Sequence, residues 1–275
     1  MKLAISNIAW EKDEDKQVYQ LMRENSITGL EVAPKRVFDD PFHAISSQIE
    51  DYKKNLNRWG IKPVAMQALL YGHPELKLFA GEKPRTAMFI HLKECIDFAS
   101  ALGVRVLVFG SPGNRKIKGT GDNKKEEAWN IACSFFSQLA KYARAWNTII
   151  CIEPNPPQYG TNFINTTTEG VELVKKVDNP GFRLHLDLGG MILAEENLET
   201  ALKNSLPYTE HFHISSPYLQ MITENRQKNQ QLANLLDKYN YSKWLSVEMK
   251  KGLKENNIKA VSEALSFITD IYRGK

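Results

Sequence analysis

The fold class this sequence predicts is α/β, a (β/α)₈ barrel, and three observations predict it. Short runs rich in Val, Ile and Leu alternate eight times with longer amphipathic stretches. The starts of those runs stand about 27 to 44 residues apart, enough for a strand, a crossover helix and two loops each time. No composition break, Pro/Gly/Ser linker or low-complexity tract interrupts them, so residues 1–275 read as one barrel domain of ordinary size for this architecture. An open doubly wound sheet has the same local grammar and is the alternative.

In chain order, strands are predicted to start near Lys2, Gly29, Lys62, Val104, Thr148, Phe182, Glu210 and Lys243, with helices between them. After the third strand, Ile90, Cys95, Phe98 and Leu102 recur at helical spacing, and Gly103 supplies a stop. From Lys124 to Trp146 a stripe of Ala128, Ile131, Ala132, Phe135, Leu139 and Tyr142 marks another helix.

With 42% hydrophobic residues the chain can bury a large core. Its 36 basic residues exceed the 32 acidic ones only slightly and are scattered, so no nucleic-acid or membrane surface is marked. The three cysteines, Cys95, Cys133 and Cys151, lie in apolar segments without a CxxC spacing, which suits reduced thiols. The apolar opening is too short for a signal-peptide core, and no run of eighteen apolar residues occurs. A soluble cytoplasmic protein is expected. Assembly into homo-oligomers is neither required nor excluded.

Four of the later strands end in a potential metal ligand: CIEPN at Glu153, HLDLG at Asp187, HFHIS at His213 and SVEMK at Glu248. In a barrel of parallel strands these ends converge on one mouth. Parity supports an inward direction. One position earlier stand Ile152, Leu186, Phe212 and Val247, suited to the outer helices; two earlier stand Cys151, His185, His211 and Ser246, small or polar. That polar layer, His185 and His211 above all, is expected to orient the ligands from beneath. Three carboxylates and one imidazole make an oxygen-rich site for one divalent ion, Mn²⁺ first, with Mg²⁺, Co²⁺ or Zn²⁺ also suited. Each residue also has a plain structural use: a turn at Glu153, a helix cap at Asp187, a core imidazole at His213, a solvated strand end at Glu248. The conjunction favours the shared site.

On KLAISNIAW, GLEVAP, IEPNP, LHLDLGG, HFHIS and WLSVEM, which span nearly the whole chain, the sequence resembles the sugar phosphate isomerase/epimerase family with the xylose isomerase-like barrel. The resemblance implies a Glu-Asp-His-Glu set on one Mn²⁺-like ion, with Glu153 and Glu248 also carrying protons to and from a sugar or sugar phosphate. A cation that stabilises an enediolate suits both isomerisation and epimerisation. Two departures set this chain apart from related ketose epimerases: Gly190 replaces a histidine and Leu219 an arginine.

The remaining candidates line the expected rim. Arg115, with Lys116 and Lys118, sits on a glycine-bearing loop suited to clamping phosphate or carboxylate, or simply to solvation. Asn7, Trp10, Glu31, Gln67 and Asn155 are expected to contact substrate, Trp10 by stacking on a sugar face and Glu31 and Gln67 by orienting hydroxyls. Tyr159 and Asn162 are weaker candidates. Other readings are a dehydratase of a polyol or cyclic keto acid, a DNA-repair endonuclease, for which the extra histidines and a basic groove are lacking, and a sugar-binding barrel without turnover.

Overall fold

A computed structural model describes residues 1–119 and 121–273. The strands are β1 (Lys2–Ser6), β2 (Gly29–Val32), β3 (Lys62–Met66), β4 (Val106–Phe109), β5 (Ile149–Ile152), β6 (Phe182–Asp187), β7 (Thr209–Ser215) and β8 (Trp244–Glu248). Each pairs in parallel with the next, and β8 returns to β1, closing the barrel and leaving no sheet edge. The doubly wound alternative is thereby removed. Every strand starts within two residues of its predicted position.

The helices pack outside: α1 (Asp15–Glu24), α2 (Pro34–Val37), α3 (Ser46–Arg58), α4 (Glu82–Leu102), α5 (Asp122–Ala145), α6 (Thr167–Val177), α7 (Leu188–Leu193), α8 (Leu198–Ser205), α9 (Arg226–Lys238) and α10 (Asn257–Tyr272). Local chemistry sets their ends. In α6 the hydroxyl of Thr166 accepts from the Glu169 amide while the Glu169 carboxylate reaches back to the Thr166 amide, a capping box. α4 ends where Gly103 turns left-handed at φ 81°.

The buried face of α4 is Met88, Leu92, Cys95, Ile96, Ala99 and Leu102. Ile90, expected on that stripe, is 55% exposed; at 100° per residue it lies well around the helix from Cys95. The α5 stripe is as expected at Ala128, Ala132, Phe135 and Leu139, with Ile131 and Tyr142 at its margins.

One continuous apolar layer joins strands to helices and contains Ile152, Leu186, Phe212 and Val247, the outward parity set. Each such fully buried side chain contributes about 1.5–3 kcal/mol. A second, smaller cluster fills the barrel interior from Ala4, Val106, Val108, Ile149 and Cys151, with Trp244 against it. Trp244 plugs this end: a Cβ on Gly29 would stand 2.6 Å from its ring. The interior is thus apolar toward β4 and β5 and polar toward β6, β7 and β8, where His185, His211, Ser246, Asp187, His213 and Glu248 are buried, while Glu153 after β5 is half-buried. Among the described residues no helix is long and apolar enough to cross a membrane.

Candidate metal centre

Ligand atoms of Glu153, Asp187, His213 and Glu248 all lie within 4.8 Å of one another. They do not share one rung of the sheet. Asp187 pairs with His213, but His213 pairs with Ser246, and Glu248 with Ser215. A closed barrel tilts and staggers its strands, so side chains from different rungs reach one point at the mouth.

His213 is fixed between two walls. Its Nε2 donates to both oxygens of Glu31, at 2.9 and 3.0 Å, across the barrel from β2. Its Nδ1 faces the other carboxylates, 3.1 Å from Glu248 Oε2 and 4.0 Å from Asp187 Oδ2, yet makes no aligned hydrogen bond. A hydrogen bond on one ring nitrogen leaves the other as the ligand atom, the carboxylate–histidine–metal arrangement. Burial alone would lower the basicity of this ring, but Glu31 and Glu248 outweigh it and hold the imidazole well above its usual range. Glu31, which burial would raise, is held well below its range by His213 and His211.

The other acids show what gathering them costs. Burial, then the charges of Asp187 and Glu248, pushes Glu153 up to about 8, against the opposing pull of His213 and Arg115. Burial and the Glu248 charge push Asp187 up to about 6, with His213, the Ser215 hydroxyl and the Gly190 amide pulling the other way. A divalent cation relieves this repulsion. Three crowded carboxylates and an imidazole nitrogen without an aligned partner fit a hard divalent ion by donor type.

Several supporting groups carried no signal in the sequence reading. Ser215 donates to Asp187 Oδ2, and the Gly190 amide donates to Oδ1 at 2.5 Å, so Asp187 also caps α7. The helix-cap use of Asp187 leaves it within the cluster of acids. Gly110, just past β4, clears the space for Glu153: a Cβ there would stand 2.2 Å from Glu153 Oε2. A side chain at Gly190 would begin 3.1 Å from Asp187 Oδ1 and 3.5 Å from Pro156, so the histidine of related ketose epimerases has little room here.

The expected rim residues are placed differently. Trp10 is no exposed stacking platform; it is fully buried in the core, and its indole N–H donates to Asp15 at 2.7 Å. Arg115 is no solvent-facing clamp; it is fully buried, one nitrogen donating to the Glu153 carbonyl at 2.6 Å and to Asn155 Oδ1 at 2.8 Å. Of the three basic residues on that loop, Lys116 and Lys118 face solvent. Glu31 holds His213 instead of orienting a hydroxyl. Gln67 follows β3 directly and donates to Ser6 Oγ at 2.6 Å. Asn7 accepts from the Ala33 amide at 2.8 Å, tying β1 to β2, and Asn162 pins the Arg115 loop through Ile117. These polar groups already hold protein partners because each lies under the rim.

What borders the mouth is a tyrosine pair. Tyr159, half-buried, accepts from the Tyr218 amide through its hydroxyl at 3.0 Å, and the rings meet edge-on at 5.8 Å. Tyr218 and Leu219 both take left-handed backbone, φ 59° and 57°; such strain costs about 1–3 kcal/mol per residue and collects at functional sites. Burial first, then the backbone bond and the charges of Asp187, Glu153 and Glu248 act on the Tyr159 hydroxyl, with a net upward shift.

Residues 19–271 match the model of the xylose isomerase-like TIM barrel family, and the chain belongs to that family. A D-psicose 3-epimerase of Ruminiclostridium cellulolyticum is 29% identical over 89 residues, 32% of this chain and 30% of that protein. The chain therefore spans less than a third of that relative in sequence. A D-psicose 3-epimerase from Clostridium cellulolyticum H10, solved with D-tagatose, superposes with a TM-score of 0.80 at 19% identity, covering 99% of both chains. The IOLI protein, solved with a bound zinc atom, superposes at 0.76 with 19% identity, over 99% of this chain and 98% of that one.

Proposed function

We propose that this chain is a cytoplasmic, single-domain enzyme that isomerises or epimerises a sugar or sugar phosphate, with one divalent cation, Mn²⁺ before Mg²⁺, Co²⁺ or Zn²⁺, held by Glu153, Asp187, His213 and Glu248. The observation that carries the reading is the convergence of those four ligand groups at the mouth, with His213 turned so that Nδ1 faces the acids. The similarity to a D-psicose 3-epimerase supports the substrate class.

When bound, the cation polarises a carbonyl and a neighbouring hydroxyl oxygen of the substrate as a Lewis acid. The protein's part is proton transfer and positioning. Glu153 takes a proton from the carbon beside the carbonyl, and Glu248 returns one, to the same carbon for epimerisation or through its neighbour for isomerisation. With the cation relieving the repulsion of Asp187 and Glu248 that raises its carboxyl, Glu153 is available as the ionised base. Arg115 and Asn155 fix the backbone behind that carboxylate, and Asp187 and His213 hold their directions through Ser215, Gly190 and Glu31. Tyr159 and Tyr218 border the opening and limit water there.

The test is proton NMR in D₂O with Mn²⁺ and a panel of free ketoses, aldoses and their phosphates. Solvent deuterium at a carbon beside the carbonyl, lost in Glu248→Gln, is the expected result. Product without solvent deuterium, or a dehydrated product, overturns the reading.

A further inference from the structure

Below the carboxylates lies a second group, of which the proposed reaction uses only His213. His185, His211 and His213, half of the chain's six histidines, place ligand nitrogens within 4.8 Å of one another inside the barrel. All three are at most 1% exposed. Both ring nitrogens of His185 and Nε2 of His211 have no hydrogen-bond partner, nor has the hydroxyl of Ser246, which pairs with His213 on the neighbouring strand. Buried polar atoms left unpaired cost about 1–3 kcal/mol each, and such groups call for a ligand. His211 Nε2 stands 3.5 Å from Glu31 Oε1, too far for a good hydrogen bond but close to the gap between two ligands of one tetrahedral ion.

We propose that His185, His211 and His213 bind a second divalent cation, distinct from the one among the carboxylates. An ion about 2.0–2.1 Å from each nitrogen, at tetrahedral angles, sets imidazole centres roughly 5 Å apart. The centres of His185 and His211 are 5.4 Å apart and those of His211 and His213 5.5 Å. Only His185 and His213, at 4.0 Å, must separate, by about an ångström. His213 serves both positions as a bridging imidazolate, Nδ1 above and Nε2 below, its bond to Glu31 given up and its Nε2 hydrogen released to solvent, with the Glu31 carboxylate left beside the ion to balance the charge. Nitrogen ligands select Zn²⁺, Co²⁺, Ni²⁺ or Cu²⁺, whereas the oxygen-rich set above prefers Mn²⁺ or Mg²⁺ while still accepting Zn²⁺ at excess. The two positions therefore differ in metal preference.

Zinc-soaked crystals of the full chain and zinc titration of chelator-stripped protein test this together. Expected are an anomalous peak among the three imidazoles besides any among the carboxylates, and two ions per chain in solution. His185→Leu should remove one ion, and the Glu153→Gln/Glu248→Gln double variant should keep the lower one. If His185→Leu fails to fold, the unaltered crystal decides. Water or empty space between the imidazoles, or one ion per chain that the double variant loses, overturns the proposal. A peak at the histidines alone would sustain it while removing the carboxylate site, so the two failures are distinguishable.

Discussion

His213 on β7 and Glu31 on β2 join opposite walls of the barrel through a bond of 2.9 Å, and this bond decides which imidazole nitrogen faces the other acids. Removing the charge of Glu31 while keeping its shape loosens that choice. Glu31→Gln is expected to weaken Mn²⁺ binding by about 10- to 100-fold, read by calorimetric titration, with the fold retained by circular dichroism. Unchanged affinity would show that Glu31 does not orient the ligand.

Gly110 is where one added carbon meets the Glu153 carboxylate at 2.2 Å. The carboxylate can swing away, so Gly110→Ala should cost only about 1–3 kcal/mol of stability. Displacing a reacting group by an ångström is a larger loss for turnover, about 10²-fold. Parallel thermal melts and rate measurements check this; full activity would mean that Glu153 acts from another position.

The crowded acids give the cation-free protein a pH dependence of definite sign. Glu153 rises from 4.5 to about 8 on folding. Between those values the folded chain holds a proton that the unfolded chain has released, so this contribution is complete below 4.5 and is lost as pH rises through about 8. Asp187, raised from 3.8 to about 6, acts in the same sense over a lower window. The Tm of chelator-stripped protein should fall as pH is raised through that range, and saturating Mn²⁺ should reverse the fall with release of protons. A Tm that climbs across the range would contradict the arrangement.

Arg115 is a buried brace. Arg115→Ala leaves the Glu153 carbonyl and Asn155 without their donor and should destabilise the protein by about 1–3 kcal/mol. Its effect on KM should be alike for neutral and phosphorylated sugars. A loss confined to phosphorylated substrates would return Arg115 to the role of anion clamp.

Strand starts and inward parity were legible because both follow from two-residue periodicity and from apolar runs, as at Ile152 before Glu153 and Leu186 before Asp187. The rim was less so, because exposure depends on how a loop folds back. Arg115 stands in a hydrophilic stretch yet is drawn under Glu153 by Asn155, forty residues away, and Trp10 is drawn into the core by α1. Glu31 had a usable signal, a lone carboxylate in the apolar strand GLEV, but its partner lies 182 residues further on. Ser215 and Gly110 offered none, since a hydroxyl or a missing Cβ takes its meaning from a neighbour on another strand.

Glu153, Asp187, His213 and Glu248 are proposed to hold one hard cation. Electron paramagnetic resonance of Mn²⁺ titrated into the stripped chain measures this directly. About one tightly held ion per chain is expected, lost in a Glu153→Ala/Glu248→Ala double variant that still folds. Mn²⁺ bound as tightly by that variant as by the unaltered protein would contradict it.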